Sequence, residues 1–171
     1  GYYLCRTNMA AAYGPMETEL GMTPVAFGLI SSVGTAFYAA GKFVSGPVAE
    51  ALGGRRVFLI GLFGSAAASL LFGLSTGVVM FTGIWALGRI LQSFGWAGLV
   101  NVMPRWFPSD RYGTAMGAIA TSYMVGGVVA SLVMGGLLSL GVGWRGLFII
   151  PAVMLVVIGL VVRLFLKQSP R

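Results

Sequence analysis

The sequence predicts an all-α membrane protein of six transmembrane helices, and three observations lead there. Of 171 residues, 57% are hydrophobic and 9% charged, with a mean hydropathy of +0.91; soluble domains carry about 25% charged residues. So little charge cannot clothe a water-facing surface, which excludes a soluble globular domain. The high hydrophobicity excludes a disordered chain. The charges fall at intervals that leave runs near the length of about 20 apolar residues a bilayer-crossing helix needs. Glycine contributes 27 residues, roughly twice average usage, as expected where membrane helices approach closely.

The chain opens at Gly1 inside an apolar stretch, with no signal peptide before it. It is therefore expected to be a fragment with a truncated first helix. That helix covers about residues 1–14 and ends at Gly14-Pro15, before a loop Met16-Glu17-Thr18-Glu19. Thr23-Pro24 is a helix-start signal for a second helix over about 24–47, followed by the loop from Glu50 to Arg56. From Val57 to Gly88 no charge appears. The stretch is too long for one span, and Ser75-Thr76-Gly77 divides it into helices at about 57–75 and 79–103. The charged segment from Arg105 to Arg111 precedes the fifth helix, about 113–140. Gly143-Trp144-Arg145 then turns into the sixth, about 147–166, which ends at Lys167, Pro170 and Arg171.

The formal net charge is +7, but the basic residues stand singly or in pairs between apolar runs, so a nucleic-acid partner is set aside. Six alternating spans put Arg55, Arg56, Arg105, Arg111, Arg163, Lys167 and Arg171 on one side and Arg145 on the other. By the positive-inside rule the first group is cytoplasmic, as is the C-terminal end. The remaining basic residues, Arg6, Lys42 and Arg89, fall within spans.

A charge inside the hydrocarbon region costs roughly 2.5–3.5 kcal/mol on insertion scales and persists when it faces a cavity or a partner. No Asp or Glu lies deep within a span here. Snorkelling to the headgroups is the plain explanation for Arg6 and Lys42. The functional one is a cationic cavity awaiting a small anionic substrate, with Arg as a planar fork and Lys as a mobile point charge. Tyr2 and Tyr3 precede Arg6, and Tyr38 precedes Lys42 by one helical turn, with Gly34 a further turn back. Tyr2 suits a membrane interface. Arg89, Gln92 and Trp96 share one face of the fourth helix, so Arg89 and Gln92 either bind substrate or stitch that helix to its neighbours. The glycines and small residues of the fifth helix, including Ser122, Gly126 and Ala130, form a packing stripe. With no His and a single cysteine, Cys5, no catalytic triad or metal site can be assembled. Neither an enzyme nor a cofactor is expected.

The segment Gly46-Pro-Val-Ala-Glu50-Ala-Leu-Gly53-Gly-Arg55-Arg56 resembles the loop between helices two and three of the major facilitator superfamily. Glu50 stands where that family usually has Asp, and Ala51 where it has a basic residue. Gly88-Arg89-Ile-Leu-Gln92-Ser-Phe-Gly95 is similar to its helix-four motif, and Trp106-Phe-Pro-Ser-Asp110-Arg111-Tyr-Gly113 and Gly143-Trp144-Arg145 to its loops. Within the superfamily, Tyr2-Tyr3-Leu-Cys-Arg6-Thr-Asn8 and Tyr38-Ala-Ala-Gly-Lys42-Phe43 look most like the organophosphate:phosphate antiporters. Those proteins exchange glycerol 3-phosphate or hexose phosphates for inorganic phosphate.

The resemblance implies the N-terminal six-helix half of a twelve-helix transporter, with a C-terminal half in the same chain and a bacterial inner membrane around it. It implies that Arg6 binds phosphate, that Lys42 adds charge, and that Tyr3, Tyr38, Trp96 and Tyr123 line the site. Tyr123 stands where glycerol-phosphate members carry a His. Gly46, Glu50, Gly53, Arg55, Arg56, Arg89 and Gln92 would serve conformational change. Two alternatives remain. One is an organic-carboxylate symporter driven by protons or sodium; the other is a sugar-phosphate sensor that does not transport.

Overall fold

In the computed structural model, which describes residues 2–165, six helices follow one another. They are α1 (Leu4–Leu20), α2 (Pro24–Leu52), α3 (Gly54–Leu74), α4 (Val78–Trp106), α5 (Ser109–Ser139) and α6 (Gly146–Phe165). No strand occurs among the described residues. The predicted all-α class is thus observed. Helices α2 to α6 are long and apolar enough to cross a membrane. With 17 residues, α1 falls short of that length; it rises about 25 Å and carries Arg6, Asn8, Glu17 and Glu19. Lys167 and Arg171 lie outside the described residues.

The helix ends differ from the sequence expectation wherever proline is read as a breaker. Helix α1 passes Pro15 and continues to Leu20. Met16 is fully buried, so the turn after the proline is held against the core. The Thr18 hydroxyl donates to the carbonyls of Gly14 at 3.2 Å and Pro15 at 3.1 Å. The stop comes at Gly21, in the left-handed conformation that ends many helices. Thr23 then caps α2, its hydroxyl accepting from the Ala26 N–H at 3.2 Å. Helix α2 likewise runs through Pro47, and α4 through Pro104.

The expected loop between α2 and α3 shrinks to Gly53, whose φ of 83° suits a residue with no Cβ. The first N–H of α3, on Gly54, is satisfied from α4 by Asn101 Oδ1 at 3.1 Å. At this crossing a Cβ on Gly98 would lie 2.6 Å from the Phe58 nitrogen, so α3 and α4 meet backbone to backbone. Gly34 and Gly41 also bring α2 close against α4. A Cβ on Gly34 would overlap the Trp85 indole, and one on Gly41 would lie 2.5 Å from Ser93 Oγ.

Helices α3 and α6 are antiparallel and tied at both ends by arginine. Arg55 Nη2 donates to the Arg163 carbonyl at 2.8 Å, near the end of α6. Arg145 Nη1 donates to the Gly73 carbonyl at 2.8 Å, near the end of α3. Arg145 therefore sits at the electronegative end of α3 and satisfies a carbonyl left over there. Between them lies an aromatic core. Phe72 stacks on Phe148 at 4.2 Å between centroids, and Phe81, Trp85 and Trp144 meet these rings edge-on or tilted. Asn8 bridges α1 to this core through Ser69 (3.2 Å), whose hydroxyl donates to the Phe148 carbonyl (3.0 Å).

Helix α5 stands apart, with only Ala130 and Met134 buried along its length. Of its expected packing stripe, Gly126 and Gly127 meet Tyr3, while Gly113, Gly117, Gly135 and Gly136 meet no side chain within 4 Å. Large apolar side chains such as Phe43, Val79 and Leu164 are exposed, which suits contact with lipid.

Replacing Gly98 by Val should cost about 1–3 kcal/mol, because the atoms it meets are backbone and cannot yield. Gly83→Ala, at an open helical position, should be neutral or stabilising by up to about 1 kcal/mol. Thermal unfolding of the two purified variants in detergent checks the contrast, and equal melting temperatures would contradict the α3–α4 crossing.

Candidate functional site

Four helices deliver the site. Arg6 comes from the first turn of α1, Tyr38 and Lys42 from the middle of α2, and Arg89, Gln92 and Trp96 from α4; Tyr123 comes from α5. The sequence pairs Tyr38 with Lys42 by one-turn spacing. In the structure the Tyr38 ring collects the three cations that the sequence places within spans. Arg6 Cζ lies 5.5 Å from its centroid, Lys42 Nζ 5.0 Å and Arg89 Cζ 4.6 Å. Each distance is within the range of a cation–π attraction. Arg6 also lies 5.7 Å from the Tyr3 centroid. The α2–α4 contact at Gly34 makes this convergence possible, since a side chain there would collide with Trp85 and press on Arg89 Cγ at 3.1 Å.

No carboxylate joins the cluster. The salt bridge found among the described residues is a 3.9 Å pair between Arg111 and Asp110, at the start of α5 and exposed. Three cations therefore share one polarizable ring with no counter-charge among the described residues. Arg6 and Lys42 are exposed, while Arg89 is buried at 6% exposure. Arg89 Nη1 donates to Gln92 Oε1 at 2.8 Å, and Gln92 Nε2 donates to the Cys5 carbonyl at 3.1 Å. Of the two roles open to this pair, the structure displays the stitch from α4 to α1. It leaves the guanidinium face against Tyr38.

Beside the cations opens a cavity of about 250 Å³, lined by residues of α1 to α5. Tyr3 and Tyr123 meet edge-on at 4.7 Å, and Trp96 meets Tyr123 at 5.8 Å, so Tyr3, Trp96 and Tyr123 make a continuous aromatic wall. An adjoining space of about 340 Å³ is bounded by Tyr38, Lys42, Trp96 and Tyr123. The structure thus brings Arg6, Lys42, Tyr3, Tyr38, Trp96 and Tyr123 together around two spaces that share Tyr38, Trp96 and Tyr123.

Tyr2 packs within the bundle. Its hydroxyl donates to the Phe58 carbonyl at 2.7 Å, and its ring fills a slot against Gly95 of α4, where a Cβ would lie 2.5 Å away. It floors the cavity and ties α1 to α3. The paired glycines Gly61 and Gly95 are the sequence signal for that slot, and nothing in their spacing names the ring that fills it.

The other singled-out residues lie away from the cavity, at the α2–α3 turn. Gly53 makes the turn, Gly46 sits on α2 with open space around it, and Arg55 holds α6. Glu50 and Arg56 are exposed and form no ion pair among the described residues.

Comparison with known proteins extends this picture. The family model described as Major Facilitator Superfamily matches residues 1–171. A "probable hexose phosphate transport protein" of Chlamydia pneumoniae is 28% identical over 170 residues, covering 99% of this chain and 37% of its own length. A "glycerol-3-phosphate transporter" of Bacillus subtilis is 30% identical over 177 residues, covering 100% of this chain and 39% of its own. The "membrane sensor protein UhpC" of Salmonella typhimurium is 28% identical over 170 residues, covering 99% and 38%. The chain spans less than two-fifths of the length of these relatives.

Removing the Gln92 acceptor should leave a buried N–H of Arg89 without its partner. Gln92→Leu is therefore expected to destabilise the fold by about 2 kcal/mol, and the double variant Arg89→Met/Gln92→Leu by less. A double-mutant cycle on unfolding in detergent reads the coupling. Strict additivity would mean that the 2.8 Å contact contributes nothing.

Proposed function

Because the chain belongs to the major facilitator superfamily, we propose that it forms the N-terminal six-helix half of a twelve-helix secondary transporter for small organic anions. The substrate we assign is a phosphate ester, exchanged for inorganic phosphate. The observation that carries this reading is the set of Arg6, Lys42 and Arg89 around Tyr38 with no carboxylate among them. Cations placed at membrane depth at a cost of roughly 2.5–3.5 kcal/mol each are stabilised when an anion arrives. Arg6 offers two parallel N–H groups to two oxygens of a phosphoryl group, and Lys42 adds a charge that can follow it. The wall of Tyr3, Trp96 and Tyr123 gives the carbon skeleton a surface to lie against, with hydroxyls at its edge. The relatives named for hexose phosphate and glycerol 3-phosphate support the same substrate class.

The cycle follows from where the site lies. In proteins of this architecture the substrate is held between two halves near the midplane, and the halves rock about it. Bound anion shifts the inward–outward balance only through its differential affinity for the two states. The second half of the protein is the partner we assign to the exposed faces of α2 and α5. We place the protein in a bacterial inner membrane, with the Arg55/Arg56 and Arg105/Arg111 turns and the C-terminal end of the chain in the cytoplasm. The relative named as a membrane sensor raises a second reading, binding without flux.

The test uses the full-length protein in proteoliposomes loaded with labelled inorganic phosphate. External glycerol 3-phosphate or glucose 6-phosphate should release the label, and a hexuronate should not. Uptake that needs a proton or sodium gradient and no counter-substrate would move the protein to the carboxylate symporters. Binding without release would make it a sensor. Arg6→Lys should abolish exchange, because a two-pronged contact becomes a point charge; exchange retained at normal affinity would overturn the role given to Arg6.

A further inference from the structure

A second opening lies on the other side of Arg6. It is a cleft of about 190 Å³ between α1, α2 and α4, bordered by Arg6, Phe27, Ser31, Thr35, Trp85 and Arg89. Arg6 borders this cleft and the aromatic cavity alike. Tyr2 and Tyr3 of the cavity precede Arg6 in the chain, whereas Met9 and Ala10 of the cleft follow it. The two spaces are therefore stacked along α1 with the guanidinium at their junction.

The lining of the cleft differs in kind from the aromatic wall. Arg89 is more than nine-tenths buried, and only its Nη1 is engaged, with Gln92. A guanidinium has five N–H donors, so most of its capacity remains for the cleft it borders. The Thr35 hydroxyl is spent on the Ser31 carbonyl at 2.9 Å. The Ser31 hydroxyl makes no hydrogen bond among the described residues and is available to donate. Two guanidiniums and one free hydroxyl, with no carboxylate beside them, form a cationic, donor-rich lining that suits an oxyanion. At about 190 Å³ the cleft is smaller than the aromatic cavity of about 250 Å³ with its adjoining space of about 340 Å³, and it suits a bare phosphate.

We propose that this cleft is a second oxyanion subsite, in which Arg6 and Arg89 hold inorganic phosphate and Ser31 donates to it, with Arg6 serving the cleft and the aromatic cavity in turn. A phosphate passing along α1 then moves from one guanidinium contact to the next without an intervening stretch of unpaired charge. The inference rests on the anion-binding reading of the cavity, and it adds a separate place where the small anion, not the ester, is retained.

Trp85 borders the cleft and Trp96 the cavity, so each space carries its own reporter. The experiment is ¹⁹F NMR of full-length protein labelled with 5-fluorotryptophan, the two resonances being assigned with Trp85→Phe and Trp96→Phe and titrated with inorganic phosphate. Phosphate should move the Trp85 resonance. Ser31→Val should weaken that response about tenfold, as expected for one hydrogen bond to a charged group, and leave the Trp96 response to glycerol 3-phosphate unchanged. Arg89→Gln should abolish the Trp85 response; Ser31→Val, at a half-buried position, provides the test should Arg89→Gln fail to fold. A Trp85 response that persists undiminished in Ser31→Val overturns the subsite. Phosphate that moves Trp96 alone also overturns it while leaving the cavity reading standing. No response of either resonance to phosphate or ester overturns both.

Discussion

Everything in this bundle is arranged around positive charge that has nowhere to discharge. Arg6, Lys42 and Arg89 converge from three helices on the ring of Tyr38, and no carboxylate meets them among the described residues. In a low-dielectric interior, like charges held close repel more strongly than in water, so the convergence has to be enforced by packing. The small residues enforce it. Gly34 lets Trp85 and Arg89 of α4 press against α2, Gly41 lets Ser93 do so, and Gly95 accepts the ring of Tyr2. Gln92 removes part of the burden by taking one N–H of Arg89 and passing its own to the Cys5 carbonyl. Preorganisation of this sort favours a ligand, because the repulsion is already present before the anion arrives and is relieved by it.

Much of this was legible in the residues. Counting charges and breakers located six helices in order, and asking which cations fall inside apolar runs found Arg6, Lys42 and Arg89. The one-turn spacing of Tyr38 and Lys42 reports a shared face directly. What the residues do not report is contact between elements distant in sequence. Tyr2 looks like an interfacial tyrosine until Gly61 and Gly95 are seen to make room for it. Asn101 is an unremarked polar residue of α4 until its carbonyl oxygen is found on the first N–H of α3, 47 positions away.

The helix ends are not legible in the sequence for a related reason. A proline removes one hydrogen bond and costs a helix interior about 3 kcal/mol in water, which makes Pro15, Pro47 and Pro104 look like boundaries. In an apolar surrounding, unpaired backbone groups are costlier still, so ending a helix early exposes more of them than one proline does. The chain therefore continues until a residue can turn without strain. Gly21 and Gly53, at positive φ, are such residues. Their neighbours carry the fitting caps, Thr23 on its own helix and Asn101 from across the bundle.

The crosswise arginines of α3 and α6 have a mechanical consequence. Arg55 reaches from the start of α3 to the end of α6, and Arg145 from the start of α6 to the end of α3. Because the helices run in opposite directions, sliding one along the other in either sense strains both contacts at once, as racking strains both joints of a braced frame. The pair cannot shorten or lengthen by slipping. Where the surrounding bilayer is thinner than the pair, the two helices shorten their span by leaning together, and the Gly98 crossing and the Asn101 cap join α4 to that unit.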